Sequence, residues 1–221
     1  MPLDRARIRA VLFDVDGTLR NTDDELVARL AALLRPLERV LPQADARRAA
    51  RRVVMGLETP TQRGLQALDW AGVDRPAYAL VTRLGTMRRR PPTQAIAGVV
   101  EMLHELHPQI PIAIVSAGPK SAVERFLGEH GLDPLFATVA TGLTCRRTKP
   151  HPDPINWVAR ELGVDAAECL LVGDTTVDIT AAARAGAQSV GVLCGFGERA
   201  ELERAGANAI LASTAGVSGL L

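Results

Sequence analysis

Lysine and cysteine are both scarce in this sequence, and each scarcity narrows the possible functions. Three cysteines are present, Cys145, Cys169 and Cys194, and none belongs to a CxxC pair. Their odd number and wide spacing argue against a disulfide framework and against a zinc site, and they fit a protein of the reducing cytosol. Of the 26 lysine and arginine residues only Lys120 and Lys149 are lysines, so a lysine near a candidate site is informative.

Long apolar runs and a strong net charge are also missing. No run approaches the roughly 20 apolar residues that a membrane-spanning helix needs. The opening residues, MPLDRARIRA, lack the apolar segment of a signal peptide. The formal net charge of +1 creates no global field that would attract nucleic acid or a membrane surface. We therefore expect a cytoplasmic protein, a monomer or a homodimer, whose partner is a small molecule.

Short apolar runs alternate with helical patterns from residue 92 onward. The apolar runs cover residues 110–118, 135–141, 169–174, 189–195 and 208–213. The helical patterns cover residues 94–106, 119–130, 154–162 and 176–185. A last helix, a strand and a surface tail are expected within 197–221. The alternation predicts an α/β fold, a doubly wound parallel sheet with a Rossmann-like core.

Residues 20–91 interrupt this alternation. They show helical periodicity but no convincing strand, and they end at Pro91 and Pro92, where proline disfavours helix in the residue before it. The prediction is an all-helical domain of residues 20–91, inserted into a core of residues 1–19 and 92–221.

Polar residues collect where the predicted strands end. The first strand runs into two acids one residue apart, Asp14 and Asp16. The later strands are followed by Ser116, Lys149, Asp174 and Asp178. Parallel strands end at the same edge of a sheet, and ligands bind there at the point where the strand order reverses. We therefore expect these six side chains to meet in one crevice.

Carboxylates gathered in a crevice need a compensating cation. Oxygen ligands without histidine or cysteine favour Mg²⁺. Asp14 and Asp174 could supply side-chain oxygens, and Asp178 could contribute directly or through water. Lys149 adds a second positive charge.

Such a site also suits a phosphoryl group. The anion would be bridged by the metal and held by the hydroxyl of Ser116. Backbone N–H groups around Gly17 and Ala117 would complete its binding. The expected ligand is a small phosphorylated metabolite.

The motifs DVDGT, Ser116, Lys149 and GDTTVD, in this order, closely resemble those of the haloacid dehalogenase superfamily. The likeness is to its phosphatase branch, the phosphoglycolate phosphatase-like members with a movable helical cap inserted after the first motif. It covers residue 8 to about residue 196, with the spacing of the motifs intact.

The resemblance implies a covalent mechanism and assigns its catalytic residues. Asp14 would attack phosphorus and form an aspartyl-phosphate. Asp16 would protonate the leaving alcohol and then activate water. Its backbone carbonyl would ligate Mg²⁺ together with Asp14 and Asp174, while Lys149 and Ser116 would hold the phosphoryl oxygens.

Several activities are compatible with these motifs. The leading hypothesis is Mg²⁺-dependent hydrolysis of a phosphate monoester, with phosphoglycolate as the specific candidate. A phosphomutase of the β-phosphoglucomutase type is an alternative, because it passes the phosphoryl group back to sugar. A non-enzymatic phospho-receiver domain is another, which Asp16 and the long insertion disfavour. Dehalogenation is disfavoured because it needs neither a metal nor a second acid at Asp16.

The scarcity of lysine excludes one further reaction. Some relatives cleave phosphonoacetaldehyde through a Schiff base on a cap lysine, and an arginine cannot replace that lysine because its guanidinium stays protonated. Residues 20–90 contain many arginines and no lysine. We therefore predict cleavage of phosphate esters and no cleavage of this phosphonate.

Overall fold

The structure, a computed structural model, describes residues 2–21 and 92–221, and its centre is one sheet of six parallel strands. The strands are β1 (Ala10–Phe13), β2 (Ile112–Val115), β3 (Thr138–Ala140), β4 (Cys169–Gly173), β5 (Gln188–Val192) and β6 (Ala209–Leu211). Helices of this part of the chain are α1 (Val99–Leu106), α2 (Lys120–His130), α3 (Asp153–Leu162), α4 (Thr176–Ala185) and α5 (Arg199–Ala205). The predicted α/β core is thereby confirmed.

The central strand β1 is apolar throughout because both faces of the sheet are covered. Successive side chains of a strand point to opposite faces. Val11 and Phe13 belong to one buried cluster, which includes residues of α1 and α2. Ala10 and Leu12 belong to the other, which includes residues of α3 and α4. This two-sided burial explains the continuous apolar runs that predicted the strands.

The strand order reverses beside β1. The sheet order is β3-β2-β1-β4-β5-β6, so the chain builds outward from β1 to β3 and then continues on the other side with β4. Phe13, the last residue of β1, lies in register with Ile114 of β2 and with Val172 of β4. The loops after β1, β2 and β4 therefore leave the sheet at the edge where ligands bind in this fold.

The helix that the sequence predicts over residues 94–106 begins later, at Val99. Gly98 precedes it as the N-cap with φ of 78°, a left-handed conformation that glycine adopts without steric cost. Before it, Ala95 forms an antiparallel bridge with Arg20, and the Asn21 N–H donates to the Gln94 carbonyl. The prediction missed this pairing because it joins segments far apart in the sequence.

The rest of the predicted helical domain, residues 22–91, lies outside the described residues. None of the helices within residues 2–21 and 92–221 is long and apolar enough to span a bilayer.

The C-terminal segment after β6 is more than the surface tail that the sequence predicts. Thr214 and Val217 are fully buried. The Thr214 hydroxyl donates to the Thr18 carbonyl over 2.6 Å, so this segment supports the loop that follows β1. The tail prediction was wrong here because residues 214–220 form two short 3₁₀ turns instead of a continuous amphipathic helix, which leaves no clear periodicity.

Candidate active site

Lys149 lies between two carboxylates from different elements. Its Nζ donates to Asp14 Oδ1 over 2.7 Å and to Asp178 Oδ1 over 2.5 Å. Asp14 follows β1, Asp178 lies in the first turn of α4, and Lys149 lies in the loop before α3. All three side chains are buried. The structure thus brings together three of the predicted residues that are up to 164 positions apart in the chain.

Asp178 has two roles at once. Its Oδ1 accepts from Lys149, while its Oδ2 accepts from the N–H and the hydroxyl of Thr175, at 3.1 and 2.7 Å. Thr175 is the N-cap of α4, and the pair forms a capping box, which satisfies N–H groups at the helix start. The N-cap of α4 is therefore Thr175 and not the preceding Asp174.

Asp174, the residue after β4, is completely buried. Its Oδ1 accepts from the Thr18 hydroxyl over 3.1 Å, and its Oδ2 accepts from the Phe196 N–H over 2.8 Å. A Cβ atom on Gly17 or on Gly195 would collide with this carboxylate. The glycines therefore leave the space that Asp174 occupies, and neutral donors fix the orientation of its oxygens.

The electrostatics of the site show a surplus of negative charge. Burial raises the pKa of Asp14 to about 7, an effect that the Lys149 ammonium opposes and the Asp178 carboxylate reinforces. Burial alone would lower the pKa of Lys149, yet Asp14 and Asp178 together raise it above its ordinary value. Lys149 therefore stays protonated, but one ammonium cannot balance three carboxylates when Asp174 is included.

The three carboxylates fit a divalent cation. Oxygen atoms of Asp14, Asp174 and Asp178 all lie within 4.8 Å of one another. The donors on Asp174, from Thr18 and Phe196, orient its lone pairs as outer partners of a metal ligand commonly do. A hard cation such as Mg²⁺ prefers this donor set. It would also favour the ionised form of Asp14 by its charge.

Asp16 and Ser116 lie beside this buried group. The side chain of Asp16 is 34% exposed and forms an ion pair with Arg20. Ser116 is buried at the end of β2, and its Oγ accepts from the Gly118 N–H over 3.0 Å. A Cβ on Gly118 would lie 3.2 Å from Ser116 Oγ and 3.4 Å from Asp16 Oδ2, so the two side chains face the same small space. Ala117 follows Ser116 and is exposed.

Gly17 contributes to the loop after β1 through its backbone conformation and its lack of a side chain. Its N–H donates to the Arg20 carbonyl over 2.9 Å, because the loop after β1 folds back as a tight turn. This N–H is thus hydrogen-bonded within the loop, and phosphoryl binding by the N–H groups around Gly17 stays a prediction. The contribution of Gly17 is its φ of 78° and the space that it leaves for Asp174.

Four contact residues of the site were missing from the sequence prediction: Thr18, Arg20, Thr175 and Phe196. Thr18 is the last residue of the motif DVDGT and Thr175 lies within GDTTVD, so their hydroxyls could have been included as supports for the neighbouring acids. Phe196 contributes only its backbone N–H, which leaves no signal in the residue type.

Comparisons with known proteins identify the family to which this fold belongs. A family model described as haloacid dehalogenase-like hydrolase matches residues 11–192. The chain is 34% identical over 207 residues to the phosphoglycolate phosphatase of Pectobacterium atrosepticum, covering 89% of this chain and 86% of that protein. It is 29% identical over 228 residues to that of Escherichia coli K12, again covering 89% and 86%. The chain belongs to the haloacid dehalogenase-like hydrolases, and it is a phosphatase of this family, as the sequence predicted.

Solved structures agree with the fold. A hydrolase of this family from Deinococcus radiodurans, solved with bound phosphate and sodium, superposes with a TM-score of 0.67 at 26% identity, covering 98% of each chain. A haloacid dehalogenase-like protein from Streptococcus pneumoniae gives a TM-score of 0.67 at 22% identity, covering 98% of this chain and 99% of that one.

Proposed function

We propose that this protein hydrolyses a small-molecule phosphate monoester, with Mg²⁺ as cofactor and with Asp14 as the nucleophile. The observation that carries the proposal is the buried position of Lys149 between Asp14 and Asp178, next to Asp174. Structural stability alone does not call for three carboxylates at one sheet edge, since buried charges cost free energy when they leave water. A divalent cation would balance the charge of the carboxylates, and the cation together with Lys149 would bind a dianionic substrate.

The roles proposed for the two acids are those that the resemblance to the family implies. A carboxylate oxygen of Asp14 attacks phosphorus, and the bond from phosphorus to the ester oxygen breaks. Asp16 gives its proton to the leaving alkoxide. In the second half, Asp16 takes a proton from water while that water attacks phosphorus, and the aspartyl bond breaks to release phosphate. Lys149 and the Ser116 hydroxyl bind the phosphoryl oxygens throughout.

The cofactor would be held by side-chain oxygens of Asp14 and Asp174 and by the backbone carbonyl of Asp16, with Asp178 contributing directly or through water. When bound, Mg²⁺ supplies positive charge that stabilises the charge developing on the transferring phosphoryl group.

Phosphoglycolate is the substrate that we propose, and the names of the curated relatives support it. Residues 20–91 remain our proposed cap domain, which would select the substrate. The three cysteines are free thiols, which supports the proposed cytosolic location. Membership in a hydrolase family leaves the receiver alternative without support, while the mutase alternative stays open to experiment.

The test is phosphate release from phosphoglycolate, β-glucose 1-phosphate and p-nitrophenyl phosphate, with Mg²⁺ and with a chelator. We expect many turnovers, dependence on Mg²⁺, and the highest kcat/KM for phosphoglycolate. Conversion of β-glucose 1-phosphate to an isomer without release of phosphate would support the mutase. A single equivalent of phosphate, or none with every ester, would overturn the proposed function.

A further inference from the structure

Arg20 binds the carboxylate of Asp16 from four residues further along the chain. Its Nε donates to Asp16 Oδ1 over 2.9 Å, and its Nη2 donates to the same oxygen. The side chain of Arg20 is only 13% exposed, against 34% for Asp16, so the arginine is the more buried partner. Surface ion pairs place both groups in water, and this pair does not.

Oδ2, the other carboxylate oxygen of Asp16, points away from Arg20. Oδ2 lies 3.4 Å from the position that a Cβ on Gly118 would take, and Ser116 Oγ lies 3.2 Å from that same position. Oδ1 is therefore turned towards Arg20, while Oδ2 is turned towards the loop that follows β2. The two carboxylate oxygens have different surroundings.

The backbone of Arg20 is held by hydrogen bonds at both its carbonyl and its N–H group. Its carbonyl accepts from the Gly17 N–H over 2.9 Å, and its N–H donates to the Val15 carbonyl over 2.8 Å. It also forms the antiparallel bridge to Ala95. The guanidinium thus extends from an anchored residue, which lowers the entropy that its two hydrogen bonds cost.

We propose that Arg20 is the positioning residue for Asp16. This inference rests on the proposed function, in which Asp16 protonates the leaving group. A guanidinium has only donors, and the carbonyl oxygen of a carboxylic acid accepts hydrogen bonds better than its hydroxyl oxygen does, so the two donors on Oδ1 favour the proton on Oδ2. Arg20 therefore directs the proton of the carboxylic acid to Oδ2, the oxygen beside Ser116, and keeps that oxygen aimed at the leaving alkoxide.

Loss of Arg20 should therefore slow mainly the step in which the leaving group takes a proton. Ester cleavage with an alkyl leaving group depends on general acid catalysis, whereas a nitrophenolate leaves without much help. The ratio of kcat/KM for an alkyl phosphate to kcat/KM for p-nitrophenyl phosphate isolates this step, because kcat/KM reports no event after the first irreversible one. A merely structural ion pair would leave this ratio unchanged.

The experiment measures this ratio for wild type, Arg20→Met and Arg20→Lys, with glycerol 2-phosphate as the alkyl phosphate and Mg²⁺ present. We expect Arg20→Met to lower kcat/KM about 10- to 100-fold for the alkyl ester and less than about threefold for the aryl ester. Arg20→Lys keeps one charged donor and should recover part of the loss. Arg7→Met is the control, since the Arg7 guanidinium donates to the Gly186 carbonyl at the surface.

A double variant completes the test. In an Asp16→Asn background, Arg20→Met should change the ratio no further, because the group that it positions is gone. Equal losses for both esters, or an additional loss in that background, would overturn the inference. If Arg20→Met fails to fold, Arg20→Lys carries the comparison. Failure of the proposed function is a separate result, since wild type would then hydrolyse neither these esters nor phosphoglycolate.

Discussion

The two lysines of this chain have opposite surroundings. Lys149 is buried, and its Nζ contacts Asp14 and Asp178 at 2.7 and 2.5 Å. Lys120 starts α2, its side chain is 72% exposed, and its Nζ lies 3.4 Å from Glu124 one turn later. Both are ion pairs of an ammonium with carboxylate, and burial is the main difference between them.

Under the proposed function, this difference separates a catalytic ion pair from an incidental one. Water screens the charges at Lys120, so its pair contributes little to stability. At Lys149, removal of the ammonium would leave the carboxylates of Asp14 and Asp178 without their cation inside the protein. The proposed function explains why the buried cluster is kept, and in the first three experiments below it is compared with matched changes in the exposed pair.

The largest effect is expected for Asp14→Asn. An amide is not an effective nucleophile, so turnover of phosphate esters should fall by roughly three orders of magnitude or more, with the fold retained. Steady-state phosphate release measures this loss. Glu124→Gln, the matched change in the exposed pair, should keep wild-type activity. Comparable rates for Asp14→Asn and wild type would rule out Asp14 as the nucleophile.

The next effect concerns stability. Lys149→Met leaves the carboxylates of Asp14 and Asp178 without their cation, so the free energy of unfolding should fall by about 3–5 kcal/mol in the absence of Mg²⁺. Lys120→Met should change it by less than about 0.5 kcal/mol. Denaturant unfolding of both variants gives the two values. Similar losses for the two lysines would mean that burial does not separate them.

Binding of Mg²⁺ should stabilise the folded protein through the acidic cluster. At a concentration of 100 Kd the gain is about 2.7 kcal/mol, because the ion binds the folded state alone. Thermal unfolding of wild type, with and without Mg²⁺, measures it. Asp174→Asn should lose most of the gain and Glu124→Gln should keep it. If Asp174→Asn responds like wild type, Asp174 is not a ligand.

A smaller effect, on the reactivity of a thiol, is expected at Cys169, which is buried in β4. Burial, and then the nearby Glu168 carboxylate, raises the pKa of its thiol from 9.0 to about 11. The reactive thiolate is therefore roughly 100-fold rarer than for an ordinary thiol near neutral pH. Labelling with a disulfide reagent at pH 8, followed by peptide mass mapping, should modify Cys145 and Cys194 well before Cys169. Rapid labelling of Cys169 in the folded protein would contradict its burial.

The sign of the associated pH effect follows from the direction of this shift. Between pH 9.0 and about 11 the unfolded chain loses the Cys169 proton while the folded chain keeps it. The contribution of this thiol to stability is therefore complete at lower pH and declines as the pH rises through this range.

No cleavage of phosphonoacetaldehyde is expected, because that reaction needs a Schiff base on a lysine. Lys149 is buried in the ion-pair cluster, and Lys120 is exposed beside Glu124, so neither is placed to form a catalytic Schiff base. Residues 20–90 offer no lysine. Borohydride added with this aldehyde should leave phosphatase activity intact and add no mass at Lys149. Release of acetaldehyde and phosphate would show that the interpretation of the lysine-poor segment is wrong.

The sequence predicted the elements of the core because their signals are local. The apolar runs of β1 and β4 and the glycines after α2, α3 and α4 are each contained in a few residues. The meeting of Asp14, Lys149 and Asp178 was expected from the rule that parallel strands end at one edge. Their order around the ammonium could not be predicted, since it depends on side-chain packing.

The features that escaped prediction depend on contacts between distant segments. Ala95 pairs with Arg20, and Thr214 donates to the Thr18 carbonyl, and neither residue type signals its partner. The pairing of Arg20 with Asp16 is local, but an arginine four residues after an acid is common on any surface. Only its low exposure in the structure distinguishes it from a solvated pair.

The central claim is that the phosphoryl group passes through Asp14, and a trapped intermediate tests it most directly. Wild type is mixed with phosphoglycolate and Mg²⁺, quenched in acid within milliseconds, digested and examined by mass spectrometry. The account predicts one phosphoryl group on the peptide that contains Asp14, removed by hydroxylamine as an acyl phosphate is, and none in Asp14→Asn. A phosphoryl group on a serine or histidine peptide, or phosphate release by wild type with no hydroxylamine-sensitive adduct at any quench time, would contradict it.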